Sequence, residues 1–437
     1  MKIPVPKGGL LMRVRNGLMT AVLVSWLAAP GLRAQAPSET TFEQFLEASV
    51  VPKEVIERFL RGPSWARFDP ELGYIPGNYL PPDGMDKSSS ISTVQSNGAR
   101  TSFLYTDRKG RINTYGDSYT HGDQVNDGET WQEYLAGHLG EPVRNFGVGG
   151  YGVYQAYRRM IREERTNHAA DNLILYIWGD DHIRSLLRCR HAIIYKRWSH
   201  RGGAMFHANF WAHLEMNLET GRLVEKENPL DTPAALFRMT ETRFMVDNLK
   251  DDLALQLYAT AMGYTRELDR KLISKLAAHL GYRMDWSQPS ELPRQAKELL
   301  DRYSLEATQF TLAKAREFAR QNNKKLLIVL FDPYRAMKEM RQSGTRYDQP
   351  ILDYLKKENF DTFDMNDVQL RDFVRYSIPF DDYMKLYFIG HYNPRGNHFF
   401  AYSIKDKIVS WLDPKPVPYR KRDEASIDFQ EYLKTVR

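Results

Sequence analysis

The hydrophobic pattern of the chain is dominated by two short segments that are apolar at every position. They are residues 173–178 (LILYIW) and 326–331 (LLIVLF). A strand that is covered on both faces lacks the alternation of a half-exposed strand, so both segments are typical of the interior of a parallel sheet. Weaker strands are predicted at residues 111–115, 142–145 and 360–365.

Apolar residues at helical spacing fill the stretches between these strands. They predict helices over about 130–139 and 151–165, another helix before residue 326, and a closing helix marked by Phe400, Ile404, Ile408 and Trp411. Strands that alternate with helices predict an α/β fold, here a three-layer, doubly wound parallel sheet of the flavodoxin-like type.

The rest of the chain is divided around this sheet. Residues 37–95 are an irregular lead-in rich in Pro and Gly, whereas 96–182 and 301–412 carry the two parts of the sheet domain. The segment 183–300 is too long for one crossover and mostly helical in composition, so it is predicted to be a large helical insertion. Residues 413–437 form a charged tail.

The first 36 residues have the three parts of a secretory signal peptide. Basic residues precede an apolar run at 17–29, and Ala34-Gln35-Ala36 supplies the small-residue cleavage pattern. We expect a cleaved signal and an exported chain, with an uncleaved membrane anchor as the alternative. No later stretch is apolar enough to cross a membrane.

Most of the net positive charge lies in this leader. The formal net charge is +6, but five basic and no acidic residues lie in the first 36, so the remaining chain carries +1. A nearly neutral surface gives no reason to expect nucleic acid or an anionic membrane as a partner. Cys189 is the single cysteine, which excludes an internal disulfide.

A serine follows the first predicted strand of the sheet. Gly116-Asp117-Ser118 comes directly after residues 111–115. The glycine permits a sharp exit from the strand, and the Ser118 hydroxyl is then expected at the carboxyl edge of the sheet, where open α/β sheets form their sites. Taken alone, the same residues describe an ordinary β–α turn with a helix cap.

Three other segments end at the same predicted edge. Gly150 lies in a glycine-rich turn after 142–145, Asp180 follows 173–178, and His391 lies in a polar turn before the closing helix. A hydroxyl, a backbone N–H donor and an imidazole are the groups that acyl transfer requires. The pattern therefore predicts Ser118 as nucleophile and His391 as general base, with a backbone N–H of the glycine-rich turn 145–152 as an oxyanion donor.

These motifs resemble those of the SGNH (GDSL) hydrolase superfamily, a set of α/β esterases, lipases and carbohydrate deacetylases. Ser118 takes the place of the nucleophile, Gly150 that of the oxyanion glycine five residues after Asn145, and His391 that of the catalytic histidine. The resemblance covers about 96–182 and 301–412. It implies an SGNH fold and ester hydrolysis through an acyl-enzyme.

The chain departs from the superfamily pattern at two positions. Asp180 stands where an oxyanion asparagine is usual, and an ionised carboxylate there would raise the barrier unless burial keeps it protonated. Phe388 and Ile389 stand where the triad acid usually precedes the histidine.

Four arrangements for orienting His391 therefore remain open. Asp332, at the end of the strand 326–331, is placed first. Asp180 is the second choice, and Asp381 or Asp382 looping back from upstream is the third. The fourth is a plain dyad of Ser118 and His391, with a backbone carbonyl setting the imidazole tautomer.

A hydrolytic metal site is the competing chemistry at this edge. Carboxylates together with His121 and His182 are possible ligands, but no paired-histidine spacing supports a metal, so we expect neither metal nor cofactor. We expect instead an exported serine ester hydrolase whose partner is a small-molecule or glycan ester, such as an O-acetyl group on extracellular carbohydrate. An acyltransferase of the same fold and a catalytically impaired carbohydrate-binding scaffold are the alternatives.

Overall fold

The structure is a computed structural model that describes residues 40–62, 65–78, 90–190, 193 and 209–420. The signal peptide predicted at 1–36 lies outside the described residues, as does most of the tail predicted from residue 413.

A five-stranded parallel sheet is the centre of the molecule. The strands of the described chain are β1 (Ala66–Asp69), β2 (Gly73–Pro76), β3 (Ile112–Tyr115), β4 (Val143–Asn145), β5 (Asn172–Trp178), β6 (His213–Asn217), β7 (Arg222–Lys226), β8 (Lys325–Phe331) and β9 (Asp361–Asp364). The central sheet has the order β4-β3-β5-β8-β9, which is the 2-1-3-4-5 arrangement of flavodoxin-like folds. The predicted α/β fold around a parallel sheet is thereby confirmed, with the two apolar segments as its central pair β5 and β8.

Helices cover the sheet and build the segments around it. Those within the described residues are α1 (Phe42–Glu47), α2 (Lys53–Arg61), α3 (Ser118–His121), α4 (Trp131–Leu139), α5 (Val153–Glu163), α6 (Asp181–Arg184), α7 (Thr242–Leu249), α8 (Leu253–Ala261), α9 (Arg270–His279), α10 (Leu292–Gln321), α11 (Ala336–Ser343), α12 (Gln349–Lys357), α13 (Met365–Phe373), α14 (Phe380–Tyr387) and α15 (Pro394–Trp411).

The side chains of β5 alternate between two hydrophobic clusters on opposite faces of the sheet. Leu175 and Ile177 pack in the cluster that contains residues of α5 and α10. Ile174 and Tyr176 pack in the second cluster, with residues of α4 and α15. All seven residues of β5 are buried, which explains why its sequence shows no polar alternation.

The segments outside the sheet contain more strand than the sequence suggested. The insertion predicted as helical also holds the antiparallel hairpin of β6 and β7, and the irregular lead-in holds the hairpin of β1 and β2. Alternation of apolar and polar residues over only five positions is a weak strand signal, and the helix-favouring composition of the neighbouring residues obscures it. Among the described residues, no helix combines the length and the hydrophobicity needed to cross a bilayer.

Parallel pairing brings the site segments to one edge of the sheet. Because β4, β3, β5 and β8 pair in parallel, their carboxyl ends lie side by side. The segments that carry Ser118, Gly150, Asp180 and Asp332 leave the sheet at these ends.

Candidate active site

The turn that presents Ser118 depends on a glycine. Gly116 has φ +155°, and a Cβ at this position would lie 2.2 Å from Thr120 Oγ1 and 2.7 Å from the carbonyl oxygen of Tyr176. Asp117 then caps α3, because its Oδ1 accepts from the Tyr119 N–H at 2.9 Å. Ser118 begins this short helix and is 9 % exposed, so its hydroxyl lies at the margin of the core.

The structure places His391 directly against this serine. Nε2 of His391 is 2.8 Å from Ser118 Oγ, whereas the other acceptor near that hydroxyl, Asp117 Oδ2, is 3.3 Å away. The two residues are separated by 273 positions in the chain. The sequence analysis predicted that the two would meet, and they lie at the hydrogen-bond distance that proton transfer from a hydroxyl to an imidazole requires.

The turn before α15 fixes the position of His391. Asn393 caps α15 by accepting from the Gly396 N–H at 2.8 Å. Tyr119, on the serine's own helix, and Tyr334 both donate their hydroxyl groups to the carbonyl oxygen of Gly390. The turn that carries His391 is therefore bonded to the helix that carries Ser118.

Gln124, which the sequence analysis did not identify, contacts the other side of the imidazole. Its Oε1 accepts from the backbone N–H of His391 at 2.8 Å and lies 3.1 Å from Nδ1. A backbone N–H can only donate, so the contacting amide atom is oxygen, and Nδ1 must carry the proton to bond it. This tautomer leaves Nε2 free to accept the Ser118 hydroxyl proton.

The contact between Gln124 and His391 requires an uncommon backbone conformation at Gln124. Gln124 has φ +71°, which costs a non-glycine residue about 1–3 kcal/mol. At Gly390, a Cβ would lie 2.7 Å from Gln124 Oε1, so only glycine leaves room for the contact. The sequence analysis sought an acidic residue just before His391. Gln124 instead comes six residues after Ser118, and its side chain is uncharged.

Asp332 is not the group that orients His391. Its Oδ1 accepts from the backbone N–H groups of Tyr334 and Arg335, at 3.1 and 2.8 Å, and its Oδ2 accepts from the Tyr347 hydroxyl at 3.0 Å. These bonds occupy both carboxylate oxygens with the turn after β8 and with Tyr347, so the first choice of the sequence analysis is corrected. Burial raises the pKa of Asp332 to about 6.

The remaining acidic candidates also point elsewhere. Asp381 and Asp382 are exposed in the first turn of α14, where Asp382 pairs with Lys385 at 2.8 Å. Asp180 lines a cavity at the ends of β5 and β8, and its Oδ2 is buried with no hydrogen-bond partner among the described residues. Burial raises the pKa of Asp180 against the opposing effect of Arg184.

The loop that carries Gly150 packs closely on the Ser118 turn. Gly147 donates its N–H to Asn145 Oδ1 at 2.9 Å, and Asn145 Nδ2 donates to the carbonyl of His121 at 3.0 Å. A Cβ at Gly147 would lie 2.3 Å from the His121 nitrogen, so the two backbones meet without room for a side chain. Gly150 itself has φ +84°. Gly150, the predicted oxyanion donor, therefore lies on a loop that packs against the helix carrying Ser118.

A buried carboxyl pair lies beneath the serine turn. Asp181 accepts from the Trp178 N–H and from Arg184, both at 2.9 Å. Burial and the nearby charge of Asp117 raise the pKa of Asp181 well above its usual range, and burial also raises the pKa of Asp117. Burial therefore disfavours the charged form of both carboxyls.

The histidines considered as metal ligands have other partners. His121 Nδ1 lies 2.7 Å from Asp123 Oδ1, and His182 Nδ1 lies 2.8 Å from Thr308 Oγ1. Over the part of the chain that the structure describes, no group of three or more His, Cys, Asp or Glu is arranged to hold a metal ion.

Comparison with known proteins finds similarity among solved structures only. No family model and no curated protein matches the chain. Among solved structures, the chain is similar to a member of the lipolytic protein G-D-S-L family from Veillonella parvula, with 13% sequence identity and a TM-score of 0.32. The match covers 69% of this chain and 98% of that one.

Proposed function

We propose that this protein is an exported serine hydrolase that cleaves a carboxylic ester. The observation that carries the proposal is the 2.8 Å contact between Ser118 Oγ and His391 Nε2 at the carboxyl edge of the sheet. A hydroxyl held by the acceptor nitrogen of a neutral imidazole is the arrangement that activates serine for attack on an acyl carbon.

The first half of the reaction forms an acyl-enzyme. Ser118 Oγ attacks the ester carbonyl carbon while His391 Nε2 takes its proton. The carbonyl oxygen becomes an oxyanion, which the N–H groups of Ser118 and Gly150 receive, and each such donor contributes about 2.7–4 kcal/mol. The C–O bond to the alcohol then breaks, and His391 returns the proton to the leaving alcohol oxygen.

The second half releases the acid. A water molecule attacks the acyl carbon, and His391 Nε2 takes one of its protons. The tetrahedral intermediate collapses, the bond to Ser118 Oγ breaks, and the proton passes back to the serine. Water is the only co-reactant, and the enzyme returns to its starting state.

Gln124 and Asp123 together fill the two roles of a triad acid, which are to orient the imidazole and to stabilise its positive charge. Gln124 orients the imidazole and sets its tautomer but carries no charge. Asp123 supplies a carboxylate nearby, since its bond with His121 and the charge of His391 help hold its pKa below the usual range. The attraction is mutual, so the ionised Asp123 favours the imidazolium that forms during the reaction.

Ester hydrolysis is tested by covalent labelling. A fluorophosphonate probe should label the wild-type protein, and Ser118→Ala should abolish labelling. Ser410→Ala, at an exposed position of α15, is the matched control and should be labelled like the wild type. Absence of labelling of the wild type at every pH between about 5 and 9 would contradict the proposal.

A further inference from the structure

The turn that carries Gly150 is bonded to a strand of the lead-in. The hydroxyl of Tyr74, on β2, donates to the carbonyl oxygen of Gly149 at 2.8 Å. Tyr74 precedes Gly149 by 75 residues and lies outside the two segments that resemble the SGNH superfamily. Its side chain is fully buried, and its ring packs edge-to-face on Tyr151 with a centroid separation of 5.3 Å. The contact is therefore part of the protein core.

A second bond runs in the opposite direction between the same two segments. Tyr151 follows Gly150 directly, and its hydroxyl donates to the carbonyl oxygen of Tyr74 at 2.5 Å. The hairpin is also bonded to the sheet domain, because Gln155 of α5 donates to the carbonyl oxygen of Leu72 at 3.0 Å. The glycine turn and β2 therefore hold each other in a fixed relative position.

The two glycines form a turn whose central peptide has two possible orientations. The N–H of Tyr151 donates to the carbonyl oxygen of Val148 at 3.2 Å, which closes a β-turn. Gly150 has φ +84° whereas the φ of Gly149 is negative, and this combination is that of a type II turn. Rotation of the peptide between the glycines would convert it to type I, and neither residue has a Cβ that opposes the rotation. The turn sequence alone therefore leaves this orientation open.

The hydroxyl of Tyr74 selects one of these orientations. The peptide is trans, so its C=O and its N–H point in opposite directions. Because the carbonyl oxygen of Gly149 faces Tyr74, the N–H of Gly150 faces away from the hairpin. That N–H donates to no acceptor among the described residues, which leaves it available to a ligand. The bond at the carbonyl also polarises the peptide and strengthens its N–H as a donor.

We propose that Tyr74 is a positioning residue of the hydrolase, which fixes the peptide between Gly149 and Gly150 so that the Gly150 N–H meets the oxyanion. The turn needs glycine at position 149, since a Cβ there would lie 2.8 Å from Asp123 Oδ2. The lead-in hairpin supplies the rigidity that this glycine cannot. The inference rests on the proposed ester hydrolysis, because that reaction is what forms an oxyanion at the Gly150 N–H.

Tyr74→Phe in the full-length protein removes the hydroxyl and keeps the ring. We expect kcat on 4-nitrophenyl acetate to fall about tenfold while KM changes less than about twofold, because the lost constraint acts on the charged transition state. Trifluoroacetophenone tests the same contact in a stable adduct. Ser118 Oγ bonds its ketone carbon, His391 takes the proton and the ketone oxygen becomes the oxyanion. Its inhibition constant should therefore also rise about tenfold.

Tyr303→Phe is the matched control for this substitution. Tyr303 is a buried tyrosine of α10 whose hydroxyl also bonds a backbone group, the N–H of Met216 at 2.7 Å. The control should lower the midpoint of urea denaturation comparably and leave kcat and the inhibition constant unchanged. Tyr151→Phe removes only the reverse bond, so it should lower kcat by a smaller factor, about threefold.

An unchanged kcat in Tyr74→Phe would overturn the inference, and so would an equal loss of kcat in Tyr303→Phe. If Tyr74→Phe does not fold, the Tyr151→Phe protein decides, and a kcat equal to that of the wild type would refute the inference. A wild-type protein that neither hydrolyses the ester nor is labelled at Ser118 refutes the proposed hydrolase instead. An active, labelled wild type with an equally active Tyr74→Phe protein refutes only the role of Tyr74.

Discussion

The side-chain oxygen of Gln124 holds both the backbone N–H and the imidazole of His391, at 2.8 and 3.1 Å. One neutral acceptor therefore does the positional work usually expected of a carboxylate. It sets which ring nitrogen carries the proton, and because it is neutral it supplies no charge of its own to the imidazolium.

Gln124 should be required for turnover but not for substrate binding. Gln124→Ala removes the acceptor at Nδ1 and is expected to lower kcat about 10²-fold with little change in KM. Gln124→Glu keeps the oxygen and adds a charge, so activity is retained and the acid limb of the pH–rate profile moves to higher pH. Steady-state kinetics on 4-nitrophenyl acetate measures both. A glutamate variant with an unmoved acid limb would show that residue 124 does not bond the imidazole.

Gly116 should tolerate no side chain. Gly116→Ala places a Cβ 2.2 Å from Thr120 Oγ1 and 2.7 Å from a backbone oxygen, so the turn must shift. We expect a loss of about 3 kcal/mol or more in the free energy of unfolding, together with loss of activity. Gly263→Ala is the control. Gly263 has φ +73°, but no atom lies within 4 Å of a Cβ built there, so we expect a loss of about 1 kcal/mol in the free energy of unfolding. Equal losses in urea denaturation of the two variants would contradict this account.

Arg100 should hold the segment that carries Gln124. Its buried guanidinium bonds Asp127 and the carbonyl oxygens of His121, Gly122 and Val125. A lysine at this position cannot bond all of these acceptors. Arg100→Lys is therefore expected to lower the free energy of unfolding by about 2–4 kcal/mol and to reduce kcat.

The matched control for this change is Arg108→Lys. Arg108 is exposed, so its substitution should lower the free energy of unfolding by less than about 0.5 kcal/mol. Chemical denaturation and kinetics on the same preparations compare the two. Unchanged activity in a folded Arg100→Lys protein would indicate that the 121–127 segment keeps its shape without the guanidinium.

Asp332 should make stability depend on pH. Its pKa is raised from 3.8 to about 6, so the folded protein binds this proton more tightly than the unfolded chain. The corresponding stability is fully present below pH 3.8 and is lost as the pH rises through 6. Asp332→Asn removes the titrating group and with it this loss of stability. Relative to the wild type, the variant should therefore gain about 3 kcal/mol between acidic and neutral pH. A difference in unfolding free energy that does not vary with pH would contradict the raised pKa.

The sheet was predictable because its signal is local. Residues 173–178 and 326–331 are apolar throughout, and burial on both faces leaves no other arrangement that satisfies them. The hairpins β1–β2 and β6–β7 were missed for the converse reason. Each is short, and its stability comes from packing against the lead-in and insertion helices rather than from its own pattern.

The sequence by itself determined the α/β class, the strand ends and the presence of a serine and a histidine after two of its elements, because these follow from hydrophobic period and from glycine. The tertiary structure alone decided what surrounds the imidazole. Gln124 lies 267 residues from His391 and reaches it through a left-handed backbone that a buried arginine secures. Asp332, at a strand end that looked equivalent, is instead bound by its own turn and by Tyr347. Which side chain faces a given ring nitrogen depends on loop paths of a few ångströms, and no local pattern of residues encodes that distance.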